Sequence, residues 1–386
     1  MAVRKRVWRN SDGSQGEAWI VEYRDRGGKP HIKSFRRKRD AGSYHATVGV
    51  AVRSGVHVPD SQSIMVAEAG QLWLTSCEAA GLERSTLDTY RQHVEFHIVP
   101  LLGTVKLSQI SVPMVRGFED ALRKDRSPAM VRKVATALGA ILSDAQDRGL
   151  VAQNVMRGLR SQRRGQGALV DKRKGKLKVG VDIPSPDEIR SLIAHLGQRW
   201  RPLLLTAIFS GLRASELRGL RWADVELKRG EIHVRQRADR FNVIGRLKSE
   251  AGERTVPLPP MVVNTLREHR IACPKGEQDL VFPNGAGNVE NRGNIVNRGF
   301  IPAMLAAGLV TKSGKVKYTG LHALRHFYAS WCINRRADGG LELPLKVVQA
   351  RLGHASIQVT ADVYGHLFPS GDDGAEMVAA ERAFFK

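Results

Sequence analysis

Residues 351–366 read RLGHASIQVTADVYGH, and this segment places His354 ten residues before Tyr364. A phenol and an imidazole this close together in a basic chain indicate chemistry on a phosphate. The pKa of an unperturbed tyrosine is about 10, so the phenol needs cationic neighbours and a proton acceptor before it can attack at neutral pH. The rest of the chain has to supply those cations.

The charge of the chain points to a polyanionic partner. Its 386 residues include 61 Lys and Arg against 38 Asp and Glu, a formal net charge of +23. A field of this sign and size attracts polyanions. A membrane surface is the other candidate, but we find no lipidation motif and no apolar run near the ~18 to 20 residues that a spanning helix needs. Nucleic acid is therefore the expected partner, with no membrane.

Composition also bounds the class of protein. With 42% hydrophobic residues the chain is long enough for two or three domains with their own cores. The N-terminus is basic but does not lead into an apolar segment, so it does not read as a secretory signal. Cys77, Cys273 and Cys332 lie far apart, which favours neither a disulfide framework nor a cysteine-rich zinc site. We expect a cytoplasmic protein located on DNA.

The first 60 residues are predicted to form a small β-rich module that binds DNA. Residues 19–23 and 31–35 read as two strands joined by a glycine turn. A basic run follows directly, and its alternative interpretation is a solvated charged face. The predicted DNA contacts of this module are Arg36, Arg37, Lys38 and Arg39.

The middle of the chain predicts helices and then a linker. Residues 64–160 have helical apolar spacing, with Pro128 in the first turn of one helix and Pro100 expected to stop another. Residues 161–180 are basic and glycine-containing without apolar periodicity, which is typical of a flexible linker. Such a linker would also lie along a phosphate backbone. Its predicted DNA contacts are Arg163, Arg164, Lys172, Arg173 and Lys174.

Residues 181–386 are predicted to form a mainly α domain with a small β-sheet. Ser185 and Glu188 have the spacing of a capping box, and the intervening proline suits a first helical position. Strands are expected at residues 231–235 and 255–258. This domain contains the segment that holds Tyr364.

Two cations lie in the first half of this domain. The sequence GLRASEL places Arg213 directly after a helix break and Glu216 three residues later. A guanidinium can clamp two phosphate oxygens through bidentate hydrogen bonds, and the alternative is a structural ion pair. Residues 246–258 are predicted to form a hairpin with Lys248 at its tip. An ammonium there can donate a proton to a leaving alkoxide, and the alternative is a solvated lysine.

The sequence LHALRH at residues 321–326 adds an imidazole and a guanidinium. His322 and Arg325 are three residues apart, so on a helix both would reach the same oxyanion. His322 and His326 are four apart, but Ala323 stands where the zinc-protease pattern H-E-x-x-H has glutamate. We therefore predict no metal site.

The order Arg, Lys, His-x-x-Arg, His and Tyr closely resembles the active-site pattern of the tyrosine recombinases, the phage integrase family. The surrounding patterns G-L-R-x-S-E-L, H-x-L-R-H and L-G-H are intact. The helical domain looks like the family's core-binding domain, and the N-terminal module looks, more loosely, like its arm-binding domain. The residues that match the family's six active-site positions are Arg213, Lys248, His322, Arg325, His354 and Tyr364.

The resemblance implies a site-specific recombinase that cleaves and rejoins DNA through a 3′-phosphotyrosine and integrates or excises a mobile element such as a prophage. Tyr364 would be the nucleophile, Arg213 and Arg325 would neutralise the phosphorane, and Lys248 would protonate the 5′-oxygen. No cofactor is implied, because the phosphotyrosine conserves the bond energy.

The remaining roles are also implied by the resemblance. His322 would accept the tyrosine proton and His354 would donate a hydrogen bond to the phosphate. Glu216 would support Arg213, and His326 is a supporting candidate whose simpler interpretation is a structural helix residue.

The resemblance further implies double-stranded DNA attachment sites as partners, a homotetramer on paired sites, and accessory directionality or DNA-bending proteins as further candidates. The apolar tail at residues 375–385 packs either onto its own domain or onto a neighbouring protomer. Two alternative functions stay open: a type I topoisomerase with the same chemistry, and a non-catalytic DNA-binding regulator.

Overall fold

The computed structural model describes residues 2–24, 28–53, 63–151, 153–158, 176–368 and 373–385. The chain divides into two compact units, Met1–Lys172 and Arg173–Lys386. Within the described ranges, every helix is too short or too polar to cross a membrane. The predicted linker contacts lie outside the described residues: Arg163, Arg164, Lys172, Arg173 and Lys174.

The N-terminal module is a three-stranded antiparallel sheet with a helix, Lys38–Arg53, on one face. Ala41 and Val48 of this helix share a small core with Val21 and Tyr23 of the sheet. Sequence analysis missed the first strand because nearly all of its side chains are exposed, so no apolar alternation marks it. The strands, in sheet order, are β1 (Ala2–Arg9), β2 (Gln15–Arg24) and β3 (Pro30–Phe35).

The predicted DNA contacts of this module lie at the junction of β3 and the helix. All four side chains are exposed there: Arg36, Arg37, Lys38 and Arg39. Two of them, Lys38 and Arg39, belong to the first turn of the helix.

The rest of the first unit is helical and has its own core, which includes Trp73, Val94, Phe118 and Leu138. The prediction that Pro128 occupies a first helical turn is confirmed, since Ser127 caps that helix. The main helices are Val66–Ala79, Arg84–His93, Val112–Arg123 and Pro128–Asp147.

The prediction that Pro100 stops a helix is wrong. A π-helical turn, Val94–Ile98, follows Arg84–His93, and a further α-helical turn, Val99–Leu102, follows that. Pro100 lies in the first turn of this last segment, directly after the π-helical turn.

The second unit surrounds a single large core with helices. The predicted capping box is confirmed: the Glu188 N–H donates to Ser185 Oγ at 3.2 Å, and the Ser185 N–H donates to Glu188 Oε2 at 2.8 Å. The α-helices of this unit are Pro186–Ala194, Arg201–Ser210, Ala214–Arg218, Pro260–Ala272, Arg292–Asn294, Ile301–Ala306, His322–Ile333, Leu345–Leu352, Ile357–Tyr364 and Asp373–Phe384.

Two small sheets complete the second unit. Its strands are β4 (Val225–Glu226), β5 (Glu231–Val234), β6 (Gln236–Ala238), β7 (Ile244–Arg246) and β8 (Arg254–Pro257). Strands β4, β5 and β8 form one sheet, while β6 and β7 form the other.

Both predicted strands are confirmed to within one residue, as β5 and β8. The predicted hairpin over residues 246–258 is wrong, because β7 pairs with β6 and β8 pairs with β5. Lys248 is exposed in the loop that joins the two sheets.

The C-terminal tail forms the helix Asp373–Phe384. Its large apolar side chains are exposed, with Met377 at 72% and Phe384 at 83%. Packing onto its own domain, one of the two expected alternatives, does not cover these side chains.

Candidate active site

A turn at Gly211 positions Arg213 in the site. The helix Arg201–Ser210 ends at Gly211, whose φ of 62° lies in the left-handed region. A Cβ at this position would lie 2.3 Å from Cδ1 of Tyr328, so the turn has room only for glycine. The chain then turns into the short helix Ala214–Arg218, and Arg213 is its N-terminal flanking residue.

A buried carboxylate fixes the guanidinium of Arg213. Glu216 is 2% exposed and accepts from Nη1 of Arg213 at 2.7 Å and from its backbone N–H at 2.9 Å. Nη2 of Arg213 donates to the carbonyl of Gly353 at 3.2 Å. Burial alone would raise the pKa of the Glu216 carboxyl, but Arg254 and Arg213 outweigh it and lower that pKa. The Arg213 side chain remains 38% exposed and available to a phosphate.

Arg325 is the second guanidinium of the site, and it is 2% exposed. It belongs to the helix His322–Ile333 and donates to two backbone carbonyls, those of Gly211 and Leu352, each at 2.6 Å. Burial and the neighbouring Arg213 lower the pKa of Arg325 to about 9, which still leaves it charged at neutral pH. Both arginines therefore contact the segment that immediately precedes His354.

The phenol of Tyr364 is buried, with 1% of the residue exposed. It ends the helix Ile357–Tyr364, and its Oη lies 2.8 Å from Nδ1 of His326. Burial raises the pKa of Tyr364 to about 12, although Arg325 and Arg213 act in the opposite direction. Burial, His322 and Arg325 lower the pKa of His326 to about 4. A neutral histidine thus holds a protonated tyrosine.

His354 lies beside the phenol. The helix Leu345–Leu352 ends at Gly353, with φ 63°, and His354 follows it. The rings of His354 and Tyr364 are parallel within 3° with centroids 6.4 Å apart, and Nδ1 of His354 lies 2.9 Å from Oγ1 of the buried Thr360. Burial, Arg325 and Arg213 lower the pKa of His354 to about 4.

The structure places His326, and not His322, at the phenol. His322 is the first residue of its helix and is exposed. Its ring packs edge-on against the ring of His326, with the ring centroids 4.5 Å apart. Desolvation, Arg325 and Arg213 lower the pKa of His322. The role of proton acceptor that the resemblance implies for His322 therefore remains a prediction, and His326 has a larger part in this arrangement than sequence analysis assigned to it.

Sequence analysis missed two further residues of the site. Arg254 is bound to Glu216, with Nη2 of Arg254 2.8 Å from Oε2. Its position in β8, two residues before the buried Val256, is a signal that could have placed it inward. His366 anchors the end of the Tyr364 segment, because its Nε2 donates to the carbonyl of Leu177 at 2.7 Å.

The described part of the chain contains no cluster of three or more His, Cys, Asp or Glu side chains that could hold a metal ion.

Comparisons with known proteins identify a family domain in this chain. Residues 185–370 match the model of the phage integrase family. The XerC-like tyrosine recombinase of Caldanaerobacter subterraneus subsp. tengcongensis is 26% identical over 376 residues, which cover 90% of each chain.

Two solved structures share the fold. The Tn1549 transposon integrase in complex with a circular intermediate DNA superimposes with a TM-score of 0.64 at 17% identity, covering 83% of this chain and all of the other. A lambda integrase tetramer bound to a Holliday junction gives a TM-score of 0.55 at 17% identity, covering 91% and 95%. Residues 185–370 of this chain are therefore a phage integrase family domain, and the sequence relatives of the chain are tyrosine recombinases.

Proposed function

We propose that this chain is a site-specific DNA recombinase that cleaves and rejoins strands through a phosphotyrosine at Tyr364. One observation carries the assignment of residues. Arg213 and Arg325 both donate to the carbonyls of residues 352–353, and the next residue, His354, lies parallel to the ring of Tyr364. Two guanidinium groups thus lie at one short segment, with the ring of Tyr364 nearby, and these are the groups that phosphoryl transfer to a tyrosine needs.

The proposed cleavage step is a direct displacement at phosphorus. A bond forms between Oη of Tyr364 and the phosphorus atom, the bond from phosphorus to O5′ breaks, and a 3′-phosphotyrosine and a free 5′-hydroxyl result. Arg213 and Arg325 stabilise the charge on the non-bridging oxygens, and such preorganised electrostatics are usually the largest contribution to catalysis. Rejoining reverses the step with the 5′-hydroxyl of the partner strand.

Two proton movements accompany this displacement. In our proposal Lys248 gives a proton to O5′, while His322 accepts the proton of Tyr364. His354 donates a hydrogen bond to the phosphate, and His326 holds the phenol before DNA binds.

The arrangement described here is a resting state. A phenol that is 1% exposed, protonated and bound to His326 cannot reach a phosphate in solution. We propose that DNA binding releases the segment of Tyr364 so that its Oη enters the site beside Arg213.

The proposed partners are DNA and further copies of this chain, and they are inferred from the net charge and from the C-terminal tail helix. The net charge of +23 suits double-stranded DNA, and the lambda integrase relative is a tetramer on a Holliday junction. We propose that four copies of this chain act on paired attachment sites. The exposed side chains Met377 and Phe384 of the tail helix would then dock on a neighbouring protomer. Integration or excision of a mobile element is the proposed outcome.

The test is trapping of the covalent adduct on a nicked suicide substrate. Tyr364→Phe should abolish the adduct and leave DNA affinity nearly unchanged. Tyr318→Phe is the matched control, because the Tyr318 phenol is also buried but donates to Glu188 at 2.8 Å. An adduct that persists in Tyr364→Phe refutes the assignment of the nucleophile.

The same preparation distinguishes the alternative functions. A recombinase joins paired attachment sites, whereas a topoisomerase relaxes plasmids without them. Specific binding with no adduct on any substrate would indicate a non-catalytic regulator.

A further inference from the structure

Arg254, in the second unit, has no direct role in the proposed reaction. Its side chain is 5% exposed, so its charge is largely removed from water. It makes four hydrogen bonds, one to its own loop two residues back and three to two distant segments. Nε donates to the carbonyl of Arg351 at 2.7 Å, and Nη1 donates to the carbonyl of Gly252 at 2.8 Å. The two remaining bonds, at 2.8 and 3.4 Å, go to the carboxylate of Glu216.

Each of the three segments carries a residue of the proposed site. Glu216 holds Arg213. Gly252 ends a short 3-10 turn in the loop between β7 and β8, and this loop contains Lys248. Arg351 lies three residues before His354. One buried guanidinium therefore connects the phosphate clamp, the proposed proton donor and the histidine beside the nucleophile.

The packing around this guanidinium leaves little room for displacement. A Cβ on Gly353 would lie 2.9 Å from Nη1 of Arg254 and 3.0 Å from the carbonyl oxygen of Ala251. A Cβ on Gly252 would lie 3.1 Å from Cβ of Leu247, the residue before Lys248. Both glycines allow the loop and the turn to approach Arg254 closely.

Stability alone explains such a residue poorly. Removing a guanidinium and a carboxylate from water is costly, and apolar side chains of similar volume often stabilise a core as well or better. An apolar side chain could not bind two backbone carbonyls and a carboxylate on different segments at once. The relative position of these segments, and not only the stability of the fold, therefore depends on the planar guanidinium and its several donors.

We propose that Arg254 is a positioning residue that holds the Lys248 loop and the His354 turn in register with Arg213. The inference rests on the proposed function, since it assigns Arg254 an effect on the cleavage step. Arg254 itself touches neither the phosphate nor the leaving oxygen in this assignment. Its effect passes through Gly252 to Lys248 and through Glu216 to Arg213.

The experiment compares two leaving groups in single-turnover cleavage at saturating DNA. One substrate has the natural 5′-oxygen and the other has a bridging 5′-sulfur at the scissile phosphate. A thiol has a pKa of about 8.5, so a sulfur leaving group departs without the proton that an alkoxide needs. Lys248→Ala serves as the reference, because its defect on the oxygen substrate should largely disappear on the sulfur substrate.

Arg254→Met should slow cleavage about 100-fold on the oxygen substrate, because the general acid is misplaced. On the sulfur substrate the loss should be only about tenfold, which is the part that passes through Arg213. Arg221→Met is the matched control: Arg221 also pairs with a buried carboxylate, Asp224, at 2.8 Å, and this variant should cleave both substrates at the wild-type rate.

Arg254→Lys keeps the charge but loses the fork, and it covers the case in which Arg254→Met does not fold. It should show the same difference between the two substrates at a smaller size. Equal losses on the two substrates, or no loss on either, would overturn the proposal. Failure of the proposed function itself looks different, because then the wild-type chain forms no adduct with either substrate.

Discussion

Arg213 and Tyr364 are held in opposite ways in this site. Arg213 is fixed by the buried Glu216 yet keeps 38% of its side chain exposed, so it is ready for a phosphate. Tyr364 is 1% exposed, and its phenol is bound to a neutral histidine. The segment that carries it is also anchored through His366 to the carbonyl of Leu177.

The difference shows that one part of the site is already arranged for phosphate chemistry while another part is not. The electrostatic framework is organised before DNA arrives, and preorganisation of this kind avoids rearrangement during the reaction. Tyr364, the proposed nucleophile, is instead withdrawn from solvent, and burial raises its pKa to about 12. In the proposed mechanism, cleavage therefore waits until DNA binding frees Tyr364.

The comparison between Arg213 and Tyr364 can be tested by substitution, and the largest effect is expected at Arg213. Arg213→Met should slow cleavage at saturating DNA by about 10² to 10³, the cost of losing one oxyanion donor. DNA affinity and unfolding temperature should change little, because the side chain is partly solvated. Single-turnover rates measure the first effect and titration measures the second. A loss of affinity alone would mean that Arg213 binds DNA but does not stabilise the transition state.

A second substitution tests whether the framework depends on its buried carboxylate. Glu216→Gln leaves Arg254 buried without its counter-charge, and the free energy of unfolding should fall by about 3 kcal/mol. Denaturant titration measures this loss. Asp224→Asn is the matched control, because Asp224 is 1% exposed and pairs with Arg221 and Arg235.

The two variants should differ in activity, and Asp224→Asn should lose less stability because Arg221 and Arg235 remain partly exposed to water. Cleavage per folded molecule should fall in Glu216→Gln and stay near wild type in Asp224→Asn. Equal activity in both would show that Glu216 contributes to stability only.

The smallest effect concerns His326, the histidine that is bound to the phenol of Tyr364. In the folded protein the pKa of His326 is about 4, against 6.5 for an unperturbed histidine. Above pH 6.5 the ring is neutral in both states, and between 6.5 and about 4 only the unfolded chain takes up the proton. Stability must therefore fall as the pH falls through this window.

Calorimetry between pH 7 and 4 checks this expectation. In His326→Leu the unfolding temperature of the second unit should decrease less steeply with falling pH than in the wild type. His354 contributes in the same direction, so part of the slope should remain. An unchanged slope would mean that His326 does not titrate in this way.

Local sequence was enough for the features that depend on neighbouring residues. The capping box at Ser185 and the helix start at Pro128 follow from short-range hydrogen bonds and backbone geometry. The family itself follows from the order of its six matching residues. The strand β1 was missed because its exposed, charged side chains give no alternation, and the supposed hairpin at Lys248 failed because strand pairing is a long-range choice.

The sequence by itself therefore determined which side chains this protein has available for phosphate chemistry and in which order they occur. Only the tertiary structure decided that Arg254 joins three of their segments, that His326 is the partner of the phenol, and that Tyr364 is buried. The physical reason is distance along the chain. Hydrogen bonds between residues separated by tens of positions, and the burial that shifts a pKa, exist only after the helices have packed, and no local pattern encodes them.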